Sequence, residues 1–333
     1  MQPILRVLGF ATLLAAAQAP SPSRAIAITF DDLPGVSQAV KAANLEAINT
    51  RLLATLRIER VPTVGFVNER GVEVEGEGEP RVAILRRWLD AHMELGNHTY
   101  SHSDLNKTSP DEYQVDILKG ERVTRRLMTE RGQSLHWFRH PFTHTGPTAE
   151  IKARLDGFLG AHGYDVAPFT IETADYIFAA VYERAALAKD EATADKVMAA
   201  YLASTDERVA FCESLADDTF GRDIRQVLLI HVNRLNADAM PELLRRLKAR
   251  GYSWIPLGEA LKDPAYATRD GYVGPIGPSW LHRWRITLGK PNRLPDEPDA
   301  PEWVMKEFGQ GLRAYIRNAR VASAAPLPAA FPR

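Results

Sequence analysis

Four residues of this chain are of types that could hold and use a metal ion. Asp31 and Asp32 are adjacent in Thr29-Phe30-Asp31-Asp32, and His98 and His102 bracket the short stretch His98-Thr99-Tyr100-Ser101-His102. Two imidazoles and one carboxylate are a complete protein ligand set for a catalytic zinc-type ion, because they leave coordination positions for water and substrate. A second carboxylate beside the first is then free to take a proton. The chemistry this pattern predicts is metal-assisted hydrolysis. Plainer readings exist for each residue. An Asp-Asp pair ending a strand is often a turn or a helix cap. The two histidines can share an ion only if a tight turn brings them together, because an extended chain would hold them roughly 13 Å apart.

A second histidine set competes. His136, His140 and His144 repeat at the same spacing, which on a helix would align three ligands. Trp137 and Phe138 favour a strand here and Pro141 breaks a helix, so this set is not expected to hold an ion. His140 and His144 remain candidates for lining a cleft.

The elements that must position these residues alternate between strand-like and helix-like. Residues 25–30 form a short apolar strand pattern ending in the two aspartates, and 61–67 form a second. Leu45, Ile48, Leu52 and Leu56 recur at helical spacing. The Gly- and Glu-rich stretch 68–80 reads as a solvated loop. A helix is expected over 81–95, ended by Gly96. Ser109-Pro110-Asp111-Glu112 has the form of a capping box and predicts a helix running to about Arg131, stopped by Gly132. Residues 136–139 are strand-like, 148–159 helical and 164–169 strand-like. One or two helices are expected over 190–214, then a strongly apolar strand over 226–231, a helix over 238–249 and a last strand over 252–255. This alternation implies a mainly parallel sheet with helices outside it. Site residues then belong at the carboxyl ends of strands. Asp31, Asp32, His98, Arg139 and His231 all fall at or just beyond predicted strand ends or in the loops between elements.

Bulk composition narrows the classes. The chain has 333 residues, 45% hydrophobic and 25% charged, with 41 Lys+Arg against 42 Asp+Glu and a formal net charge of -1. That near-balance gives no reason to expect nucleic acid or an anionic membrane as partner. The single cysteine, Cys212, excludes an internal disulfide and reads as a small core residue. Arg6, the apolar run 7–17 and Ala17-Gln18-Ala19 have the form of an export signal over 1–19, followed by a linker over 20–24. The expected location is periplasmic or extracellular, with no transmembrane span in the mature chain. The main domain is expected over 25–262, with a helical insertion at about 180–222. A C-terminal extension follows over 263–321, and the Ala/Pro-rich 322–333 tail is expected to be disordered.

Taken in order, these motifs resemble the polysaccharide deacetylases with the NodB homology domain, carbohydrate esterase family 4, over roughly 25–255. Thr29 to Asp32 match the first motif, and His98-Thr99-Tyr100-Ser101-His102 the second. Arg139-His140-Pro141-Phe142 match the third, with phenylalanine in place of tyrosine. Asp175-Tyr176 match the fourth loosely, and Leu229-Ile230-His231 the fifth. The resemblance implies a deformed (β/α) barrel, mainly parallel. It implies that Asp32, His98 and His102 bind a divalent ion, zinc first and cobalt or another divalent ion as alternatives. Asp31 would be the general base, Arg139 would keep it ionised, Asp175 would orient Arg139 and His231 would be the general acid. Pro141, Phe142 and Tyr100 would contact substrate, with a backbone N–H near Phe142 facing the oxyanion. Without the resemblance, His231 reads as a structural histidine and Arg139 as an ion-pair residue.

The departures bear on substrate. Leu33-Pro34-Gly35 follows the aspartates where many members have Gly-Pro, and Tyr176 stands for a common tryptophan. Trp137, Tyr100, Trp254 and Tyr272 are candidate sugar-stacking aromatics, although such residues are more often core. The expected function is an exported, metal-dependent deacetylase acting on N-acetyl, less readily O-acetyl, groups of an acetylated poly- or oligosaccharide. The alternatives are an amidase of the same fold acting on a small non-sugar amide, or a non-catalytic glycan-binding protein.

Overall fold

The computed structural model describes residues 24–37 and 41–321. The expected export signal, all of its linker but Arg24, and the 322–333 tail lie outside the described residues. The elements in chain order are β1 (Arg24–Leu33), α1 (Ala42–Ile58), β2 (Thr63–Val67), α2 (Gly78–Asp90), β3 (Glu94–Asn97), α3 (Pro110–Lys119), α4 (Arg122–Thr129) and β4 (Trp137–Phe138). They continue with α5 (Ala149–Ala161), β5 (Asp165–Val166), β6 (Ile171–Glu172), α6 (Asp175–Leu187), α7 (Glu191–Phe220), β7 (Gln226–His231) and α8 (Arg234–Ala249). The described residues end with β8 (Tyr252–Trp254), α9 (Leu257–Ala260), α10 (Trp280–Thr287) and α11 (Glu302–Val321).

The strands form one sheet in the order β5-β4-β3-β2-β1-β7-β6, with β8 added beside the start of β1. Every pairing is parallel, and the strands curl into the half-barrel expected of a deformed (β/α) barrel. Parallel strands covered on both faces should read as continuous apolar runs rather than alternating ones. Ile26 to Phe30 and Val227 to Ile230 do so, and all are buried. Leu45, Ile48, Leu52 and Leu56 form the buried stripe of α1, as their spacing predicts.

The register decides which side chains meet. Asp31 is paired with His231 across β1 and β7. Val67 pairs with Asn97 and Asn97 with Phe138, so His98 and Arg139 leave their strands at the same level. All of these residues lie at the carboxyl end of the sheet.

Several expected boundaries move. Gly96 does not end a helix. Helix α2 stops at Asp90 and Gly96 lies in β3, where a Cβ would come within 2.5 Å of the Phe66 ring. The glycine is there for strand packing. The capping box at Ser109 forms, but the helix it starts ends at Gly120, and α4 begins anew. A Cβ at Gly120 would lie 2.4 Å from the backbone of Thr99 and Tyr100, so the helix must break to let that loop pass. Residues 191–220 are one 30-residue helix, and α6 before it starts at Asp175, ahead of the helical insertion expected at about 180–222. Helix α8 starts at Arg234, capped by Asn233, rather than at Asp238. The 68–80 stretch is solvated only in part. Glu69 is fully buried, and its carboxylate accepts the N–H groups of Val123 and Thr124 at the start of α4. That is a natural place for a carboxylate, because a helix N-terminus offers unsatisfied donors and positive dipole charge.

Candidate metal and catalytic centre

Asp32, at the end of β1, adopts a left-handed backbone with φ of 64°. After β3 the chain turns at Thr99 (φ 63°) and His102 (φ 58°), which supplies the tight turn that the two histidines require. Their rings come to 5.1 Å between centroids. Asn97 fixes this turn by accepting the Thr99 N–H at 2.7 Å, and Asn68 donates to the His98 carbonyl at 2.5 Å. Asp32 Oδ1 lies 3.6 Å from His98 Nε2 and 3.5 Å from His102 Nε2. Ligand atoms placed tetrahedrally about an ion at ~2.1 Å are ~3.4 Å apart. Among the described residues this is the one group of three or more such side chains with metal-ligand proximity.

Local chemistry agrees with a cation site. Asp32 Oδ1 is buried with no hydrogen-bond partner. His98 Nδ1 lies 2.8 Å from the Arg139 carbonyl, and donating its proton there leaves the Nε2 lone pair facing Asp32. Burial pushes the pKa of both His98 and His102 down to about 4, which keeps the imidazoles neutral, the ligating form. Burial also raises the Asp32 carboxyl, and a cation is what would offset that cost.

Asp31 is buried beside this set. Its Oδ1 accepts from Arg139 Nη1 at 2.8 Å, and its Oδ2 lies 3.7 Å from His98 Nε2. Burial alone would raise its pKa, but the Arg139 guanidinium, with the His231 imidazolium beyond it, outweighs burial and holds the carboxyl below the ordinary range. Arg139 is itself buried. It donates to Thr29 Oγ1 at 2.8 Å and to the Ala167 carbonyl at 3.2 Å, and its guanidinium lies 4.3 Å over the Phe66 ring.

Asp175 corrects an expectation. It does not orient Arg139. As the first residue of α6 it accepts from His231 at both the backbone N–H (3.0 Å) and Nδ1 (2.8 Å), and from the side-chain amides of Asn233 (2.8 Å) and Asn236 (2.6 Å). Burial would lower the His231 pKa, but the charge and hydrogen bond of Asp175 outweigh it and raise the value to about 10. The Tyr176 ring stands edge-on to His231 at 6.3 Å.

The remaining expected residues divide. Phe142 (φ 54°) sets its ring 4.5 Å from that of His102, so the turn 141–143 borders the ligand set, with Pro141 buried at its start. Tyr100 instead donates its hydroxyl to Glu73 at 3.0 Å and lies 3.5 Å under the Lys119 ammonium. Trp137 is buried and donates to Glu94, and Tyr272 packs against the Arg283 guanidinium. The rival histidines go separate ways. His136 faces the Ser134 carbonyl, His140 bonds to the Tyr113 hydroxyl and His144 to Asp104. Thr29, which bonds to Arg139, and Asn233 and Asn236, which bond to Asp175, are supporting residues that sequence reasoning does not single out. Thr29 carries a signal, since it precedes Asp31 by two along a strand and so shares its face.

The family model described as polysaccharide deacetylase matches residues 18–167. A chitin deacetylase from Colletotrichum lindemuthianum is 24% identical over 242 residues, covering 72% of this chain and 79% of the relative. A peptidoglycan-N-acetylglucosamine deacetylase from Bacillus cereus is 28% identical over 151 residues, covering 45% of this chain and 46% of that one. Among solved structures, that of the chitin deacetylase from Colletotrichum lindemuthianum superposes with a TM-score of 0.50 at 24% identity, covering 72% of this chain and 88% of the other.

Proposed function

We propose that this chain, which carries a polysaccharide deacetylase domain, is exported and hydrolyses N-acetyl groups on a poly- or oligosaccharide with the help of a divalent ion. The observation that carries the reading is the convergence of Asp32, His98 and His102 to within 4.8 Å beside a buried Asp31–Arg139 pair. Asp32, His98 and His102 would hold the ion, zinc being the first choice for two imidazoles and a carboxylate. When bound, such an ion supplies Lewis acidity to the acetyl carbonyl and makes the attacking water more acidic.

The chain's own residues account for the protons. Asp31 takes one from the attacking water as its oxygen bonds to the acetyl carbon. Arg139 keeps Asp31 ionised and, with Thr29, fixes its orientation. Opposite, at the same level of the neighbouring strand, His231 in its protonated form gives a proton to the sugar nitrogen as the C–N bond breaks. Acetate and a free amine leave. Asp175 stabilises the imidazolium before transfer and holds Nδ1, so that Nε2 is the nitrogen that donates. A backbone N–H at Phe142 serves the developing oxyanion. The apolar run 7–17 with Ala17-Gln18-Ala19 supports export of the chain.

The test is acetate release by the zinc-loaded protein from chitooligosaccharides, peptidoglycan fragments and acetylxylan, with small amides as a separate arm. Release from a glycan that a chelator abolishes is the expected result. Release from small amides alone would make the protein an amidase. Glycan binding without release from any substrate would make it a binding protein.

A further inference from the structure

Arg283 lies in α10, beyond residues 18–167, and is fully buried. Its planar fork reaches back to the turn that borders the ligand set. Nη2 donates to the Thr143 carbonyl at 2.6 Å, Nη1 to Thr145 Oγ1 at 2.9 Å and Nε to the Pro278 carbonyl at 2.8 Å. The charge is balanced by Asp270 at 3.2 Å, and the guanidinium lies 4.1 Å over the Trp280 ring. The loop before α10 closes on the same turn. Thr143 Oγ1 donates to the Gly277 carbonyl at 2.6 Å, and Asn106 Nδ2 to the Gly274 carbonyl at 3.2 Å. Gly277 sits so close that a Cβ would meet Thr143 Oγ1 at 1.9 Å and the Phe142 carbonyl at 2.2 Å.

The turn needs holding. Phe142 and Thr143 both have φ of 54°, a left-handed conformation that costs a residue with a side chain of order 1–2 kcal/mol and persists only where the surroundings over-determine it. The Phe142 ring contacts His102, so a relaxed turn would move both the ring and the backbone N–H beside it.

We infer that Arg283 is a positioning residue for the reaction: acting through Thr143, it fixes the Phe142–Thr143 turn, and residues 270–283 are a working part of the site rather than an appendage. Two other features support a fork and not merely a charge. The bonds from Nη2, Nη1 and Nε go to acceptors on three different residues, which an ammonium could not reach together. Lys152 also pairs with Asp270, at 3.0 Å, so the aspartate keeps a cation partner without Arg283.

The inference rests on the deacetylase reading, and its test separates the two. Full-length wild type, Arg283→Lys, Arg283→Met and Gly277→Ala are each loaded with zinc, then compared by zinc stoichiometry, by amide hydrogen exchange and by steady-state acetate release from N-acetylated chitooligosaccharide. In all three variants, exchange should rise at least tenfold at 142–145 and stay unchanged at 97–102, with zinc retained. Their kcat should fall about 10- to 100-fold with KM within twofold. Arg283→Lys should restore thermal stability more than kcat. Unchanged exchange at 142–145 in Arg283→Met and Gly277→Ala would overturn the inference, as would full kcat in Arg283→Lys. Absence of acetate release by wild type from chitooligosaccharide, peptidoglycan fragments and acetylxylan alike would overturn the deacetylase reading and leave the exchange result to decide the position of the turn. Gly277→Ala tests the same turn without disturbing a buried charge.

Discussion

The Asp175 carboxylate lies 2.8 Å from His231 Nδ1 and also accepts the His231 backbone N–H at 3.0 Å. One aspartate thus holds both the ring and the main chain of the proposed acid. Asn233 and Asn236 complete its shell, so the site has two separate carboxylate-anchored halves. Asp31 with Arg139 forms one, and Asp175 with His231 the other.

Asp175→Asn should lower the His231 pKa from about 10, because it removes the charge that raises it. The proposed acid role needs His231 protonated, so the alkaline limb of the kcat–pH profile should move to lower pH by a unit or more. The fold should respond too. An imidazole protonated up to about 10 when folded, and near 6.5 when unfolded, stabilises the native state fully below the unfolded value. That contribution is lost as pH rises through the folded value. The variant should therefore melt lower at pH 6 than wild type, with the gap narrowing toward pH 10. An unshifted alkaline limb would remove His231 as the acid.

Asp31→Asn should keep its metal and lose kcat by about 10²–10⁴-fold, the usual range for a general base. Zinc content and acetate release measured on one preparation check this. Full activity in the Asp31→Asn protein would end the base assignment.

His98→Ala should lose metal and activity together, since two of three ligands do not hold a zinc-type site. Chelation of wild type should reproduce the loss, and added zinc should reverse it in wild type only. Dialysis against a chelator, followed by metal analysis and assay, separates this from simple unfolding.

Gly120→Ala should be destabilising by about 1–3 kcal/mol, the range for overpacking. The added methyl would stand 2.4 Å from the backbone of Thr99 and Tyr100. Those residues join the two histidines, so zinc affinity should fall as well. Chemical denaturation and a zinc titration test the two effects. Wild-type values in both would show that this loop yields freely.

The sheet and most of the centre were legible because they depend on short-range rules. Apolar runs marked β1 and β7, the capping box marked α3, and strand ends marked where Asp31, His98, Arg139 and His231 would gather. What escaped depends on distant neighbours. Gly96 reads as a helix stop and Gly120 as an interior position of one long helix, yet each is set by neighbours remote in sequence, the Phe66 ring for Gly96 and the Thr99–Tyr100 backbone for Gly120. The partner of Asp175 could not be seen, because Arg139 and His231 are both remote in sequence and only the β6–α6 junction selects between them. Tyr100 reads as a cleft residue from its place between two proposed ligands. The left-handed turn that joins His98 to His102 leaves it between Glu73 and Lys119.

Asp32, Thr99, His102, Phe142 and Thr143 all sit at positive φ without being glycine. At such positions glycine is the replacement that ordinarily makes a protein more heat-resistant, provided the side chain is idle. Here two of the five side chains are proposed ligands, and the Phe142 ring packs against one of them. A search for thermostable variants of this chain should therefore find its gains away from these positions. Gains found at Thr99, Phe142 or Thr143 should be bought with slower turnover, which makes these turns the place where heat tolerance and catalysis compete.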